Sequence, residues 1–548
     1  MTSWAGSWLT YPFQFLFGRP PHRPSVHGPR PTLLRLEALE SRDLLSSSAD
    51  VWNFVTAPKL HPMKVSVQVQ EPGTAPGLIF AGPYALSQNP SDLVGQTGPL
   101  IMDNSGNPVW FLPVSGTNKK QVTDFRVQSY RGQPVLTWWQ GTLAGTVPSA
   151  LPDGTALPGA KYVVYNDHYQ KIMTVKARNG FTADLHEFLI TPQGDALFIA
   201  TKVVKANLTP YGGVKNGALV DPEVQEINLR TGKLVFTWNM DKHVPLSDSI
   251  VPAPTSANQV WDTYHLNSID EGPNGELLLS ARDTWAVYEI SNPAAPGGGQ
   301  VLWQLGGKPQ THWPQFSISN DITGPYNSAF QWQHDAQFQP VTGTPLPPGQ
   351  TEISLFDDAC CDSPFPDPFT PAQGLILNLD FNNMMASVQK SYPHNPSLFP
   401  NSQGDVEALP NGDEFIGWGA EPYYSEYTQS GTVLYDVLMP GDDVSYRAFR
   451  NTWVGLPLTK PAATVTQVAG QRTVYASWNG STQTAAWELL AGRTPASLSP
   501  VSITPRTGFQ AAIATTAAGP FYQVRALDAD GAVLKASAVI SVHSPKKC

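Results

Sequence analysis

A strand–turn–strand unit recurs along the chain and limits the folds that are open to it. Each unit has two short runs rich in apolar and aromatic residues, joined by a turn containing Gly, Asn, Asp or Pro, which is the pattern of a β-hairpin. Five such units lie at Gly98–Phe111, Phe125–Trp139, Leu185–Phe198, His265–Leu279 and Asp405–Ile416. Further strands follow most hairpins, so units of about four strands recur about every 60–80 residues. This period predicts a β-propeller of six blades and disfavours a stack of sandwiches.

The composition agrees with an all-β chain and argues against a nucleic-acid partner and a membrane span. The sequence has 45 Gly and 52 Pro, and only 14% of its residues are charged, which favours short strands joined by turns over helix bundles. The net charge of −10 is spread out without a basic block, so we expect no nucleic-acid partner. Apolar runs stay below the ~18 residues of a membrane span, and no span is expected.

Three parts follow from this pattern. Residues 1–50 do not read as part of the fold, and Leu36–Leu45 resembles the short LEPR-xLL motif near the start of large exported bacterial proteins. We therefore expect an export segment and a location in the periplasm, on the cell surface or outside the cell. Residues 51–460 hold the propeller units. Residues 461–548 become rich in Ala, Thr, Ser and Val, which predicts a small β-sandwich similar to fibronectin type III.

Polar residues recur where the predicted innermost strands begin. His186, His265 and His334 mark successive units, Asn267 follows the second histidine, and Arg282 ends its return strand. Because innermost strands converge on a central channel, we expect these five side chains at one channel mouth. Arg and an amide suit an anion such as sulfate or phosphate, while imidazole attacks or moves a proton.

Two other readings of these histidines stay open at this point. Three histidines form a known zinc set, although a nearby arginine would repel the cation. They also satisfy backbone groups at strand ends in many repeat proteins. We predict no metal and no cofactor.

An ordered set of short motifs resembles the arylsulfotransferase family over roughly residues 62–460. The motifs are Asp184–Phe188, Tyr264–Asp270 with Arg282, Trp303–Gly307 and Trp332–Ala336, with outer landmarks at Trp138–Gly141 and Tyr446–Trp453. The resemblance is to the branch that carries Gln-His-Asp-Ala. It implies a six-bladed propeller that moves a sulfuryl group from an aryl sulfate to a phenol without a nucleotide donor.

The resemblance also implies individual roles. His334 matches the histidine that is transiently sulfated, and the supporting positions fall on His186, His265, Asn267 and Arg282. Aromatic side chains near the mouth are candidates for stacking on a substrate ring, although blade packing is their commoner use. These aromatic residues are Trp332, Tyr264 and Trp261. The alternative function is a non-catalytic, adhesive or ligand-binding exported propeller.

The cysteines add one expectation. Cys360 and Cys361 are adjacent in a polar loop that follows the His334 strand, and the third cysteine is Cys548. We predict that the loop lines or rims the channel. The sequence leaves open whether the adjacent pair forms a disulfide or two free thiols.

Overall fold

The computed structural model describes residues 50–542, except 88, 90, 115–119, 145–150, 153–154, 320–328, 341–344 and 362–369. The predicted export segment, including Leu36–Leu45, and Cys548 lie outside the described residues. Where the structure describes the chain, it is all-β, as predicted, with no α-helix. Four short 3-10 segments lie at Thr209–Tyr211, Met240–Lys242, Leu246–Asp248 and Arg282–Thr284.

Strands are numbered in chain order. The first thirteen are β1 (Ser66–Gln70), β2 (Leu78–Ala85), β3 (Leu100–Met102), β4 (Pro108–Phe111), β5 (Gln121–Tyr130), β6 (Gln133–Gly141), β7 (Lys161–Tyr165), β8 (Lys171–Val175), β9 (Thr182–Ile190), β10 (Asp195–Ala206), β11 (Gly217–Asn228), β12 (Leu234–Asn239) and β13 (Val260–Asp262). The next fourteen are β14 (Leu266–Glu271), β15 (Leu277–Ala281), β16 (Ala286–Ile290), β17 (Val301–Gly306), β18 (Gln315–Ile318), β19 (His334–Phe338), β20 (Gln350–Asp357), β21 (Gln373–Asp380), β22 (Met385–Pro393), β23 (Asp405–Ala408), β24 (Glu414–Gly417), β25 (Tyr423–Tyr427), β26 (Val433–Leu438) and β27 (Asp443–Asn451). The last eight are β28 (Ala462–Val468), β29 (Gln471–Ser477), β30 (Ala486–Gly492), β31 (Ser499–Pro505), β32 (Gln510–Thr515), β33 (Phe521–Leu527), β34 (Val533–Ala536) and β35 (Ile540–Ser541).

Each of the five predicted hairpins is confirmed as an antiparallel pair. They are β3–β4, β5–β6, β9–β10, β14–β15 and β23–β24. Two further strands extend four of these hairpins in antiparallel order, giving β5 to β8, β9 to β12, β14 to β17 and β23 to β26. Strands β19 to β22 form another antiparallel group of four. The short strand β18 pairs in parallel with both β17 and β22 and so joins two of these groups into one sheet.

The two ends of the repeat region share one four-stranded group. Strand β27 pairs antiparallel with β2, and β3 and β4 complete the group. Strand β1 likewise pairs with β26. Backbone hydrogen bonds between early and late strands therefore hold the ends of the region together.

The first strands of the groups contact one another in a closed order. Strand β5 contacts β9, β9 contacts β14, β14 contacts β19, β19 contacts β23, β23 contacts β27, and β27 returns to β5. Between the groups lie cores of large apolar side chains, such as Trp139, Phe198 and Leu279. The strands that carry the candidate residues are thus held from both sides by packed sheets.

The C-terminal residues form two sheets around their own core. One sheet has the order β28-β29-β32, and the other has the order β31-β30-β33-β34 with β35 added to β33. Trp487 and Val524 from the second sheet share a core with Val474 and Ile513 from the first. This sandwich contacts the preceding region directly, since the Asn479 side chain accepts from and donates to the backbone of Phe111. No described helix is long and apolar enough to cross a membrane.

Candidate active site

One cavity of about 480 Å³ gathers four of the five polar residues that the sequence predicts at the channel mouth. His186, His265, His334 and Arg282 all line it. Its other lining residues are Tyr84, Leu86, Leu143, Leu185, Cys361, Asn401, Ser402, Gln403 and Tyr446. The three imidazole centroids lie 4.9 Å (His186–His265), 6.3 Å (His186–His334) and 6.3 Å (His265–His334) apart. Histidines that lie far apart in the chain therefore meet in one pocket.

Irregular strand geometry turns these side chains toward the cavity. Register shifts interrupt the pairing of β9 with β10 near His186, and of β19 with β20 just after His334. A bulge of this kind bends a strand and re-aims its side chains. His265 has a φ of 48° and Asp335 a φ of 57°, both in the left-handed region that residues other than Gly seldom occupy. Such strain is common at functional sites, where the surrounding fold holds it in place.

Each of the three imidazoles is held by its own aspartate through Nδ1. His334 Nδ1 lies 2.7 Å from Asp358 Oδ2. His265 Nδ1 lies 2.8 Å from Asp262 Oδ2. His186 Nδ1 pairs in the same way with Asp184 Oδ1. A carboxylate accepts the Nδ1 proton, so the other ring nitrogen, Nε2, is left with its lone pair.

His334 has the most deeply buried imidazole of the three. Its side chain is fully buried, and its Nε2 accepts a hydrogen bond from the backbone N–H of Gln403 at 3.2 Å. Burial lowers the pKa of His334 well below its usual range, and the positive charges of Arg282 and Arg447 add to this effect. Its imidazole is therefore neutral near pH 7, with an unprotonated nitrogen at the cavity wall.

The proton that His334 shares with Asp358 is best placed on Nδ1. Burial raises the pKa of the Asp358 carboxyl well above its usual range, while Arg282 opposes that change. A proton on Nε2 of His334 would nevertheless face the N–H of Gln403, and two donors repel each other. The carboxylate of Asp358 thus orients the imidazole with Nε2 as the acceptor.

His265 is suited to the opposite role. Burial alone would lower the pKa of His265, but the adjacent carboxylate of Asp262 outweighs burial and raises it above the usual value. A histidine with a raised pKa is the better proton donor near neutral pH. The site therefore combines an imidazole with a lowered pKa, His334, and one with a raised pKa, His265.

Arg282 supplies the positive charge at the cavity. Its Nη1 donates to Asp283 at 3.0 Å, its Nη2 donates to the carbonyl oxygen of Asn401 at 3.0 Å, and its guanidinium lies 4.6 Å from the ring centroid of Trp332. Its Nε is buried and has no hydrogen-bond partner within the described part of the chain. A guanidinium fixed in this way can bind the oxygens of an anionic ligand.

Asn267 lies at the site but is not among the cavity-lining residues. It is fully buried, and its amide donates to the carbonyl oxygen of Gln333, next to His334, at 2.7 Å. Its backbone oxygen accepts from Arg447, which is itself buried and pairs with Glu187 at 3.0 Å and with Asp335 at 3.0 Å. This network joins the strands that carry His186, His265 and His334.

The three predicted aromatic residues take different places. Trp332 lies under Arg282. Tyr264 is fully buried and donates its hydroxyl to the carbonyl oxygen of Val244. Trp261 is buried against Tyr211 and donates to the carbonyl oxygen of Val251. None of the three is among the cavity-lining residues. The rings of Tyr264 and Trp261 pack in apolar cores, whereas that of Trp332 contacts the cavity-lining Arg282.

Two tyrosines, Tyr446 and Tyr84, line the cavity although the sequence did not predict them as site residues. The Tyr446 hydroxyl is buried without a hydrogen-bond partner among the described residues, and its ring meets His186 edge-on at 5.5 Å between centroids. Tyr84 donates its hydroxyl to the side-chain oxygen of Gln403. Tyr446 belongs to one of the motifs that resemble the arylsulfotransferase family. The sequence does not show that its hydroxyl lacks a hydrogen-bond partner among the described residues.

The cysteine loop lies where it was predicted. Cys360 and Cys361 form a disulfide, and Cys361 lines the cavity. Arg282 Nη2 lies 3.9 Å and 3.7 Å from the two sulfur atoms. The disulfide lies two residues after Asp358, which holds His334.

Comparisons with solved structures give only remote likenesses. A protein of unknown function from Bacteroides caccae shows 12% identity and a TM-score of 0.35, with 69% of this chain and 100% of that chain covered. A catalytically inactive variant of virginiamycin B lyase from Staphylococcus aureus, with quinupristin, shows 9% identity and a TM-score of 0.27, with 67% and 84% covered. At these scores the likeness supports no further conclusion. A search of curated proteins gives no match.

A sequence profile identifies the family. The profile described as "Arylsulfotransferase (ASST)" matches residues 126–438, which is more than half of the chain. The matched range contains His186, His265, His334 and Arg282, so it includes the cavity residues that the motifs had marked. The protein belongs to the arylsulfotransferase family.

Proposed function

We propose that this protein transfers a sulfuryl group from an aryl sulfate ester to a phenolic acceptor, through a sulfated His334 and without a nucleotide donor. The observation that carries the proposal is that the buried imidazole of His334, held at Nδ1 by Asp358, lines the same cavity as the guanidinium of Arg282. Family membership supports an aryl sulfotransferase activity.

The first half-reaction would sulfate the enzyme. The Nε2 lone pair of His334 attacks the sulfur, the bond between sulfur and the aryl oxygen breaks, and the phenolate leaves with the electron pair. Arg282 binds the sulfuryl oxygens, and His265 donates a proton to the leaving oxygen. The N–H of Gln403 must release Nε2 first, and its 3.2 Å contact is at the long end of the hydrogen-bond range.

The second half-reaction would return the group to an acceptor. A phenol loses its proton to His265, its oxygen attacks the sulfur, and the N–S bond breaks to restore His334. A covalent intermediate divides one transfer into two displacements, so donor and acceptor occupy the cavity in turn. Tyr446 lines the cavity and its hydroxyl has no hydrogen-bond partner among the described residues, so it is placed to donate to a substrate oxygen.

The architecture we propose for this function is a six-bladed propeller over residues 51–460, followed by a fibronectin-type-III-like sandwich over residues 461–548. The closed order of contacts among β5, β9, β14, β19, β23 and β27 supports the propeller. The two sheets around Trp487 support the sandwich, which we propose serves as a spacer or adhesion module.

We also propose that the protein is exported. The disulfide between Cys360 and Cys361 supports an oxidising compartment, where disulfides persist. The motif at Leu36–Leu45 is in keeping with that location.

The direct test supplies 4-nitrophenyl sulfate as donor and a second phenol as acceptor. We expect 4-nitrophenol and the sulfated acceptor in equal amounts, and loss of both products in His334→Asn. His312→Asn is a matched control, because His312 is exposed and lies outside the cavity. Release of 4-nitrophenol with free sulfate and no sulfated acceptor would show a hydrolase and contradict the proposal.

A further inference from the structure

We propose that His186, His265 and His334 also form a binding site for a divalent transition-metal ion, with Zn²⁺ as the expected ion, and that the bound ion blocks sulfuryl transfer. The part about inhibition rests on the proposed function. The binding itself does not, because it concerns only the geometry of the three imidazoles.

The three rings already stand close to a metal-binding arrangement. One nitrogen from each histidine lies within 4.8 Å of the other two. Zn–N bonds of ~2.0–2.1 Å in a tetrahedral site bring nitrogens to roughly 3.3 Å from one another. Small ring movements of roughly 1 Å therefore complete the set, and the open cavity leaves room for a fourth ligand.

The aspartates make these imidazoles good metal ligands. Asp184, Asp262 and Asp358 occupy the Nδ1 atoms, so the nitrogens that remain for a metal are the Nε2 atoms. An aspartate behind a ligating histidine fixes its tautomer and ring orientation and raises its basicity. Such pairs recur at protein zinc sites, and here all three histidines have one.

The charges around the three histidines favour a bound cation more than the sequence indicated, because several aspartates lie near Arg282 and the imidazoles. Arg282 alone would repel a cation, but it is paired with Asp283 at 3.0 Å. The three carboxylates behind the imidazoles add negative charge within the same cluster. The carboxylates around the site thus outnumber its one cavity-lining guanidinium, and they offset part of the repulsion that Arg282 and the buried Arg447 exert on a cation.

A metal at this position would compete with the proposed chemistry. It would occupy the Nε2 lone pair of His334 that must attack sulfur, and it would replace the N–H of Gln403 as the partner of that atom. It would also hold His265 unprotonated, which removes the proton donor. We therefore expect inhibition that a chelator reverses.

Binding is tested on tag-free protein without any sulfate donor. Co²⁺ serves as the spectroscopic probe, because a tetrahedral site gives it intense visible absorption, and Zn²⁺ displaces it. We expect one ion per chain and a loss of about 100-fold or more in affinity in His265→Asn. Asp262→Asn should weaken binding by roughly 10–100-fold, the usual effect of removing such a supporting carboxylate.

The control and the outcomes keep the two proposals separate. His312→Asn should bind like the wild type, and His186→Asn gives a second ligand test from another strand if His265→Asn does not fold. Weak binding at millimolar Co²⁺ only, or binding unchanged in both ligand variants, overturns the site. Tight binding that leaves transfer unaffected, or activates it, overturns the inhibition, whereas tight binding in a protein without any transfer activity leaves the site and removes the proposed function.

Discussion

Removing the carboxylate of Asp358 should slow sulfation of His334. Asp358 is fully buried, and its Oδ2 accepts the Nδ1–H of His334 at 2.7 Å. In Asp358→Ala that N–H stays buried without a partner, which costs about 1–3 kcal/mol. If the whole cost falls on the reactive orientation of the ring, the rate decreases roughly 5- to 150-fold, since each ~1.36 kcal/mol is tenfold.

The assay measures the burst of 4-nitrophenol in a single turnover with donor alone, because that burst reports the first half-reaction. Asp358→Asn can still accept the N–H through its amide oxygen, so it should retain more of the rate than Asp358→Ala. The matched control is Asp195→Ala, which removes a buried carboxylate at the start of β10 that accepts from the Asn228 side chain at the end of β11. In the part of the chain that the structure describes, this carboxylate makes no hydrogen bond or ion pair with a cavity histidine. A burst rate for Asp358→Ala within twofold of the wild type, in a folded protein, would refute the positioning role.

Three further predictions follow from the cavity. Transfer should have a pH optimum, because activity increases with pH as His334 loses its proton below pH 6.5 and decreases as His265 loses its proton above pH 6.5. Asp262→Asn removes the charge that raises the pKa of His265. In an initial-rate profile of this variant, the descending limb should therefore move to lower pH. Tyr446→Phe should reduce kcat/KM by roughly 2- to 13-fold, because one hydrogen bond from its hydroxyl to a substrate oxygen contributes ~0.5–1.5 kcal/mol. Unchanged steady-state kinetics would exclude that contact. The double variant Cys360→Ser with Cys361→Ser should still form the protein label with donor alone, because neither sulfur is needed for attack, and complete loss of label by mass spectrometry would implicate the sulfur atoms in the chemistry.

The sequence predicted the strand pattern and the meeting of the histidines for a physical reason. A hairpin is specified by the local alternation of apolar and polar residues and by its turn residues. The hairpins at Leu185–Phe198 and His265–Leu279 could therefore be predicted without tertiary information. Once the units repeat, equivalent positions occupy equivalent places in the fold. His186, His265 and His334 therefore meet because their strands are equivalent.

Other parts of the site depend on contacts that no local pattern shows. Asp358 reaches His334 across 24 positions of the chain, and Gln403 reaches it across 69. The aromatic residues show the same limit, since Tyr264 faces the core and Tyr446 faces the cavity although both are tyrosines in motifs. The direction of a side chain at a bulge is set by neighbouring strands, so a single sequence does not specify it.

The measurement that tests the central proposal most directly is the mass of the protein after donor alone. A sulfuryl group adds about 80 Da, and a neutral or alkaline quench preserves an N-sulfated imidazole, which should be acid-labile. We predict one adduct per chain, mapped by peptide fragmentation to His334, absent in His334→Asn and discharged when a phenol is added. His265→Asn should form the adduct more slowly, by about 10²–10⁴-fold. An adduct that persists in His334→Asn, or that maps to His186, would contradict the account.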